Sequence, residues 1–286
     1  MSRSIVLLVV LAAAQLCFGQ EARTTIRVGD AFRGPIKLVR TEVVRVRMEG
    51  DKEIEGLRGV IQVVTYSPDG RTKETIQQDP NGTVRRKIVE TYFPSGTQES
   101  LTIYDGSRNQ ISKVTYEHDK QGAVALETRH NTDGSVQGQT FVQTERATDG
   151  SMVAVNKVSN AGYTIETSIN SRPAPKVSKW STTKPDGSRQ DNIFSVDAAG
   201  DHNDEIITYK ADGSLTGRRV SRVNHDITRL EATEYDANGA VIRKTLETRE
   251  YDSLRNITAV VNYKWNAALE KFEPVARTYH HIEYFE

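Results

Sequence analysis

The sequence predicts an all-β protein, an antiparallel meander of consecutive β-hairpins that forms an extended or curled repeat sheet. Two observations predict this fold. Turn signals containing glycine recur with about 13 residues per strand-plus-turn unit, and the segments between them are rich in Thr, Val, Ile and Tyr, which are enriched in strands. In addition, no window carries a long apolar stripe at helical spacing.

The first element along the chain is an export signal. Arg3 precedes an uncharged apolar run over 5–14, and small residues permit a cut after Gly19. The run is far shorter than the ~20 residues that span a bilayer as a helix. We therefore predict a cleaved signal peptide over 1–19 and a single β-hairpin repeat domain over 20–286. The expected location is secreted or periplasmic, without a membrane span after cleavage.

The composition excludes several classes of function. The 38 Lys and Arg residues balance 38 Asp and Glu residues, so the charge favours no nucleic-acid partner. The single cysteine, Cys17, lies within the predicted signal. The exported chain therefore has no disulfide scaffold, thiol nucleophile or cysteine-ligated zinc.

The repeat is most visible in its turns. Asp-Gly and Asn-Gly supply the positive φ angles that tight hairpin turns require. Longer gaps predict two weaker turns near 173–175 and near 224–226. Counted two at a time, several turns lie 26 residues apart. Four turns place glycine four residues after tyrosine, at 66–70, 92–96, 209–213 and 235–239.

The regions outside the repeat are predicted to continue the same sheet. Before it we expect a strand over 36–48 and a charged loop over 50–59. After it we expect a strand that ends at Trp265, a loop over 266–274 and a last strand over 275–285.

The charge pattern of the strands bears on whether the sheet closes. In the strand over 240–251, Arg243, Glu247 and Arg249 share one face, and Lys244 lies on the other. The lipid face of an outer-membrane barrel is apolar over ~25 Å. Charges on both faces therefore argue against such a barrel and favour a solvated meander that curls over a thin core.

The turn motifs carry a family resemblance. Tyr-Asp-Ala-Asn-Gly at 235–239 resembles the YD repeat of RHS-type and teneurin-like proteins, and the segments 209–215 and 66–72 are similar. The resemblance covers roughly 60–260 and implies a spiralling antiparallel sheet of hairpins. The chain resembles a short, repeat-only member, because it has neither the protease-like motif nor the toxin domain of the large members.

One loop is a candidate metal site. Asp197, Asp201, Asn203 and Asp204 form the densest cluster of acidic and amide side chains. Hard oxygen ligands of this kind suit Ca²⁺, but hairpin turns also select Asp and Asn. Whether the loop over 197–204 binds calcium stays open at this point.

Other candidates for chemistry have simpler interpretations. Adjacent His280 and His281 on a strand point to opposite faces and cannot share a metal. Arg218, Arg219 and Arg222 are interpreted as a solvated strand face rather than a phosphate site. We assign no catalytic, cofactor-binding or metal-ligating residue and predict no cofactor.

Three functions remain open. The first is a non-enzymatic exported repeat protein that presents a sheet surface to a protein or glycan of the envelope or exterior. The second is a secreted hydrolase with paired carboxylates on one sheet face. The third is a carrier of an apolar ligand, in a cavity lined by residues such as Ile257, Val261, Tyr263 and Trp265.

Overall fold

The computed structural model describes residues 32–50, 52–148 and 151–286, so the predicted signal peptide lies outside the described residues. All regular structure in the described part is β-strand. The strands are β1 (Ile36–Glu49), β2 (Lys52–Glu55), β3 (Gly59–Tyr66), β4 (Thr72–Gln78), β5 (Val84–Tyr92), β6 (Gln98–Asp105), β7 (Gln110–His118), β8 (Val124–His130), β9 (Val136–Arg146), β10 (Met152–Ser159), β11 (Thr164–Ala174), β12 (Val177–Thr183), β13 (Arg189–Val196), β14 (His202–Tyr209), β15 (Leu215–Val223), β16 (Arg229–Tyr235), β17 (Val241–Tyr251), β18 (Ile257–Asn266) and β19 (Lys271–Tyr284).

The sheet closes into a barrel, so the prediction of an extended or curled repeat sheet is wrong. Consecutive strands pair antiparallel from β3 to β19, and β1 completes the ring by pairing with β19 on one side and β3 on the other. Eighteen strands of the described chain form the ring, and β2 pairs only with the far end of β1. The all-β class and the antiparallel hairpin order are confirmed.

The turns take the geometry that the sequence predicts. In one of them, the Gly82 N–H donates to the Asp79 carbonyl at 2.8 Å, and the Asp79 N–H donates to the Thr83 carbonyl at 2.9 Å. Gly82 has a φ of +87°, which marks a three-residue loop with a type I turn and a left-handed residue. The two weaker turns also exist, with Lys176 and Ile227 in the left-handed position.

Two boundaries differ from expectation. The predicted charged loop over 50–59 contains the short strand β2. The last strand begins at Lys271 rather than at 275, because the hairpin continues until Trp265 lies opposite Phe272, with their ring centroids 5.1 Å apart.

The two faces of the wall differ in exposure. Along β9, Phe141 and Gln143 are exposed, whereas Val142 and Thr144 are half-buried. Side chains diverge on the convex side of a curved sheet, so the face of Phe141 is the outside of the barrel. Because cross-strand partners and alternate residues share a face, the pairings assign every strand residue to this outer wall or to the inner wall.

Burial is concentrated at the seam, where β1 meets β3 and β19. Ile36, Val39, Val64 and Tyr66 form a hydrophobic cluster there, with Phe32 packed against it. Only eleven hydrophobic residues in the described part of the chain are buried. Barrels of 16–18 strands leave an aqueous channel, so this wall is a single layer around a lumen.

Candidate ligand-binding site on the inner wall

The outer wall carries cross-strand ion pairs. The Lys87 ammonium lies 2.6 Å from the Glu74 carboxylate, and the Lys179 ammonium lies 2.9 Å from that of Asp191. A Lys or Arg on the lipid face of a barrel costs roughly 2–4 kcal/mol at the bilayer midplane. Charged groups at these positions therefore disfavour contact with lipid. No helix among the described residues has the length and apolarity needed to cross a membrane.

Part of the inner wall is equally charged. On β16 and β17, Arg243 pairs with Glu234, and on β17, Arg249 pairs with Glu247. Arg219 shares this inner face, because its partner across the β15–β16 pair is Glu234. The inner wall of β15–β17 is therefore charged: two ion pairs lie on it, together with Arg219, whose Nε atom has no hydrogen-bond partner among the described residues.

A neighbouring region of the inner wall is uncharged. Across β11, β12 and β13, Trp180 lies between its cross-strand partners Asn170 and Asn192. In the next row, Thr182 lies between Ser168 and Gln190. We call these six residues the amide–tryptophan patch: Ser168, Asn170, Trp180, Thr182, Gln190 and Asn192.

Hydrogen bonds orient the patch but do not exhaust its polar groups. The Ser168 and Thr182 hydroxyls lie 2.8 Å apart, and the Asn170 amide donates to the Met152 carbonyl at 3.2 Å. The Gln190 amide nitrogen donates to the Asn192 side-chain oxygen at 3.0 Å. Within the described chain, the Gln190 carbonyl oxygen and the Asn192 amide nitrogen keep no protein partner, so one acceptor and one donor remain available side by side.

The two tryptophans of the chain have different surroundings. Trp265, on the outer wall, packs edge-on against Phe272 and lies under the Lys244 ammonium, 5.2 Å from its ring centroid. Trp180 is half-buried, and among the described residues it has no aromatic or cationic partner. Its indole N–H is neither hydrogen-bonded to the described residues nor buried, so Trp180 presents a partly exposed indole on the inner wall.

Asp204 lies between the patch and the charged region. It pairs across the sheet with Phe194 and Ser221 on the inner wall. Burial raises the pKa of the Asp204 carboxyl, and the positive charge of Arg219 offsets part of that rise. Beside it, the Phe194 and His202 rings lie 5.4 Å apart.

The structure does not gather the residues of the candidate calcium loop. Asp197 and Asp201 both bind the Arg222 guanidinium, at 3.3 and 2.8 Å. Asn203 points to the outer wall and Asp204 to the inner wall, as their pairing with β13 and β15 requires. In the part of the chain that the structure describes, no group of three or more His, Cys, Asp or Glu residues could hold a metal ion.

The adjacent histidines lie on opposite walls, as predicted. The His280 Nδ1 atom is 3.0 Å from the Thr41 hydroxyl, and its ring contacts Phe32 edge-on. Burial lowers the pKa of His280, and the nearby His281 lowers it further. His281 is on the outer wall, 3.4 Å from the Glu42 carboxylate.

The arginine cluster is divided between the walls. Arg218 and Arg222 are on the outer wall and pair with Glu205 and with the 197–201 turn, respectively. Arg219 points inward. The three arginines therefore do not form one phosphate site.

The residues expected to line an apolar cavity share a face, as their period predicts, but that face is the outer wall. Val261 is 5% exposed there. A depression of about 360 Å³ that includes Tyr263 is lined mainly by inner-wall residues, among them Arg243, Glu247 and Lys264, whose charges do not suit an apolar ligand.

The amide–tryptophan patch is the feature that the sequence reading missed. Its signal is the alternation of Ser178, Trp180 and Thr182 on one strand with Gln190 and Asn192 on the next. Alternation within one strand does not say which residues of the next strand stand beside it, so the patch emerges only once the register is known.

Comparison with known proteins gives distant structural likenesses. A porin-like protein from Bacteroides uniformis is 11% identical, with a TM-score of 0.43, over 87% of this chain and 97% of that chain. A porin-like protein from Bacteroides vulgatus is 8% identical, with a TM-score of 0.34, over 87% of this chain and 98% of that one.

A third structure is similar over part of its length. A TcdB2–TccC3 structure, a toxin of the RHS/YD-repeat class, is 9% identical, with a TM-score of 0.24. It covers 76% of this chain, which matches only 16% of that one. No family model and no curated protein matches the chain.

Proposed function

We propose that this is a non-enzymatic exported protein of the cell envelope or exterior, which binds a protein or glycan against the inner wall of its barrel. The observation that carries the proposal is the amide–tryptophan patch. It offers a partly exposed indole with an unpaired donor and an unpaired acceptor inside a closed wall. Ligand sites commonly combine an apolar contact surface with a few placed polar groups.

The proposal places the ligand inside rather than outside because the polar groups of the two walls differ. On the outer wall, Glu205 binds Arg218 and Asp191 binds Lys179 and Arg189. Their charges are already balanced by these neighbours, although the Asp191 Oδ1 atom accepts no hydrogen bond. The inner patch keeps polar groups without partners, and these gain most from a ligand.

The proposed location is the periplasm or the exterior. The apolar run over 5–14 supports export, and the ion pairs of the outer wall support an aqueous surrounding. Fractionation of the native cells with an alkaline carbonate wash tests this. We expect the protein in the soluble or wash-released fraction, whereas retention in the washed membrane would contradict the proposed location.

Ligand placement can be tested with adjacent cysteines on the two walls. In a Cys17→Ser background, Thr182→Cys places a thiol on the inner wall, and Ser181→Cys places one on the outer wall; both parent residues are half-buried. Each full-length variant is labelled with a maleimide in the presence of envelope polysaccharide and, separately, of envelope protein. We expect one of these fractions to slow labelling of the inner cysteine at least about fivefold and to leave the outer one unchanged.

The other outcomes contradict the proposal. Protection of the outer cysteine alone would assign binding to the outer wall. Unchanged labelling of both cysteines with every fraction would remove the inner wall as a binding site.

A further inference from the structure

We infer that the amide–tryptophan patch recognises an uncharged glycan, with one sugar ring stacked on Trp180 and its hydroxyl groups hydrogen-bonded by Gln190 and Asn192. This inference rests on the proposed function and names the ligand class of the same site.

The unpaired groups of the patch have the chemistry that a hydroxyl ligand requires. Gln190 offers an acceptor and Asn192 a donor, and their mutual hydrogen bond keeps the two amides side by side. A sugar hydroxyl both donates and accepts, so one hydroxyl, or two neighbouring ones, can satisfy both groups. The Ser168 and Thr182 hydroxyls extend this polar row.

The Trp180 indole suits the apolar face of a sugar ring. A pyranose ring has an apolar face of C–H groups, which packs on an aromatic face, while the indole N–H provides a polar handle at its edge. Trp180 is the tryptophan of this chain that leaves its ring available, because Trp265 is occupied by Phe272 and Lys244.

The absence of charge on the patch determines the charge of the ligand that fits. The patch carries no ionisable side chain, although the inner wall holds the pair Lys157–Glu166 on β10 and β11 and the pair Arg243–Glu234 on β16 and β17. A charged ligand would meet no counter-ion on the patch and would lose hydration there. The ligand that fits is therefore uncharged.

The closed ring of strands favours a glycan over an extended peptide as the ligand. An extended peptide commonly binds a sheet by adding a strand to a free edge, and a closed barrel has no such edge. The ring of β1 and β3–β19 pairs every strand on both sides. The patch, roughly 10 by 7 Å from strand spacing and rise, has room for one or two sugar rings.

Tryptophan fluorescence tests the inference directly, because the chain has two tryptophans. In Trp265→Phe only Trp180 reports, and in Trp180→Phe only Trp265 reports. The probes are maltohexaose, cellohexaose and chitohexaose as neutral glycans, with hexagalacturonate and an uncharged hexapeptide as comparators. We expect at least one neutral glycan to change the emission of Trp265→Phe and to leave that of Trp180→Phe unchanged.

Two further variants test the polar contacts, with circular dichroism used to verify that each barrel is folded. Measured by isothermal titration calorimetry, which needs no tryptophan reporter, Trp180→Ala and Asn192→Leu are each expected to weaken binding of that glycan at least about tenfold. Asn203→Leu, on the outer wall of the next strand, is expected to leave the affinity unchanged.

Three results would overturn the inference: equal affinity in Trp180→Ala, tighter binding of hexagalacturonate, or tighter binding of the peptide. If no neutral glycan binds but envelope protein protects the cysteine at position 182, the glycan assignment fails and the proposed function stands. If nothing protects that cysteine, both fail.

Discussion

At the seam, β1 pairs with β19, and the contact of Thr41 with His280 joins residues 239 apart in the chain. Elsewhere the wall is built from neighbours in sequence, which short turns hold together. The seam also has the buried cluster around Val39 and the buried Asn256. The hairpin strands outside the seam, here called the repeat wall, are mostly half-buried. Closing a long loop costs entropy that a short turn does not, so the long-range pairing is where apolar burial is concentrated.

The largest loss of stability is expected from a substitution at the centre of the seam. Val39 is 1% exposed, so Val39→Asp buries a charge without a partner and is expected to lower the free energy of unfolding by about 3–5 kcal/mol. Val241→Asp is the control, because Val241 is 51% exposed on the repeat wall. Urea unfolding measures both, and equal losses would show that the seam has no special weight.

Asn256 holds the segment before β1, at Arg33, against the seam, and its substitution measures how much this attachment stabilises the fold. It is fully buried, accepts a hydrogen bond from the Arg33 N–H, and donates to the Arg33 carbonyl at 3.0 Å and the Tyr284 hydroxyl at 2.8 Å. Asn256→Ala leaves these groups without partners and should cost about 2 kcal/mol. The exposed turn residue Asn238 is the control, and Asn238→Ala should change the urea midpoint little. A loss in Asn256→Ala no larger than the control's would contradict this role.

Substitution of a turn glycine measures how much a single turn of the repeat wall contributes to stability. Gly213 has a φ of +81° and nothing within 4 Å of an added Cβ, so Gly213→Ala tests backbone strain alone. We expect a loss of about 1 kcal/mol in thermal or urea unfolding. Gly138→Ala is the matched control, because that site has the same space without a positive φ. Equal effects at both glycines would show that strain in the turn is not the cause.

The smallest expected effect is a pH dependence of the seam. Burial lowers the pKa of His280 below the ~6.5 of an unfolded chain. The unfolded state therefore binds more protons between these two pKa values, and stability is complete above about pH 6.5 and falls as the pH drops below it. His280→Gln should flatten this slope between pH 7.5 and 5.5 in urea titrations. His281→Gln, on the outer wall, should retain it; an unchanged slope in His280→Gln would assign the effect to another group.

Much of the wall could be predicted from the sequence because it depends on local physics. Asp-Gly and Asn-Gly turns, with residues such as Gly82 and Gly213 at positive φ, set the start and end of most strands. The opposite directions of His280 and His281 follow from the period of two. The candidate site could not be predicted, because Trp180 and Asn192 share it only through the β12–β13 register.

The sequence by itself determined the all-β class, the hairpin order and the alternation of charge along the strands. These follow from backbone preferences of single residues and their nearest neighbours. Closure was decided only in the tertiary structure. The pairing of β1 with β19 and β3 joins distant segments, and no local pattern near Val39 or Ile282 specifies its partner. Once the ring is closed, it also decides which face of each strand becomes the inner wall, and therefore which polar groups can meet a ligand.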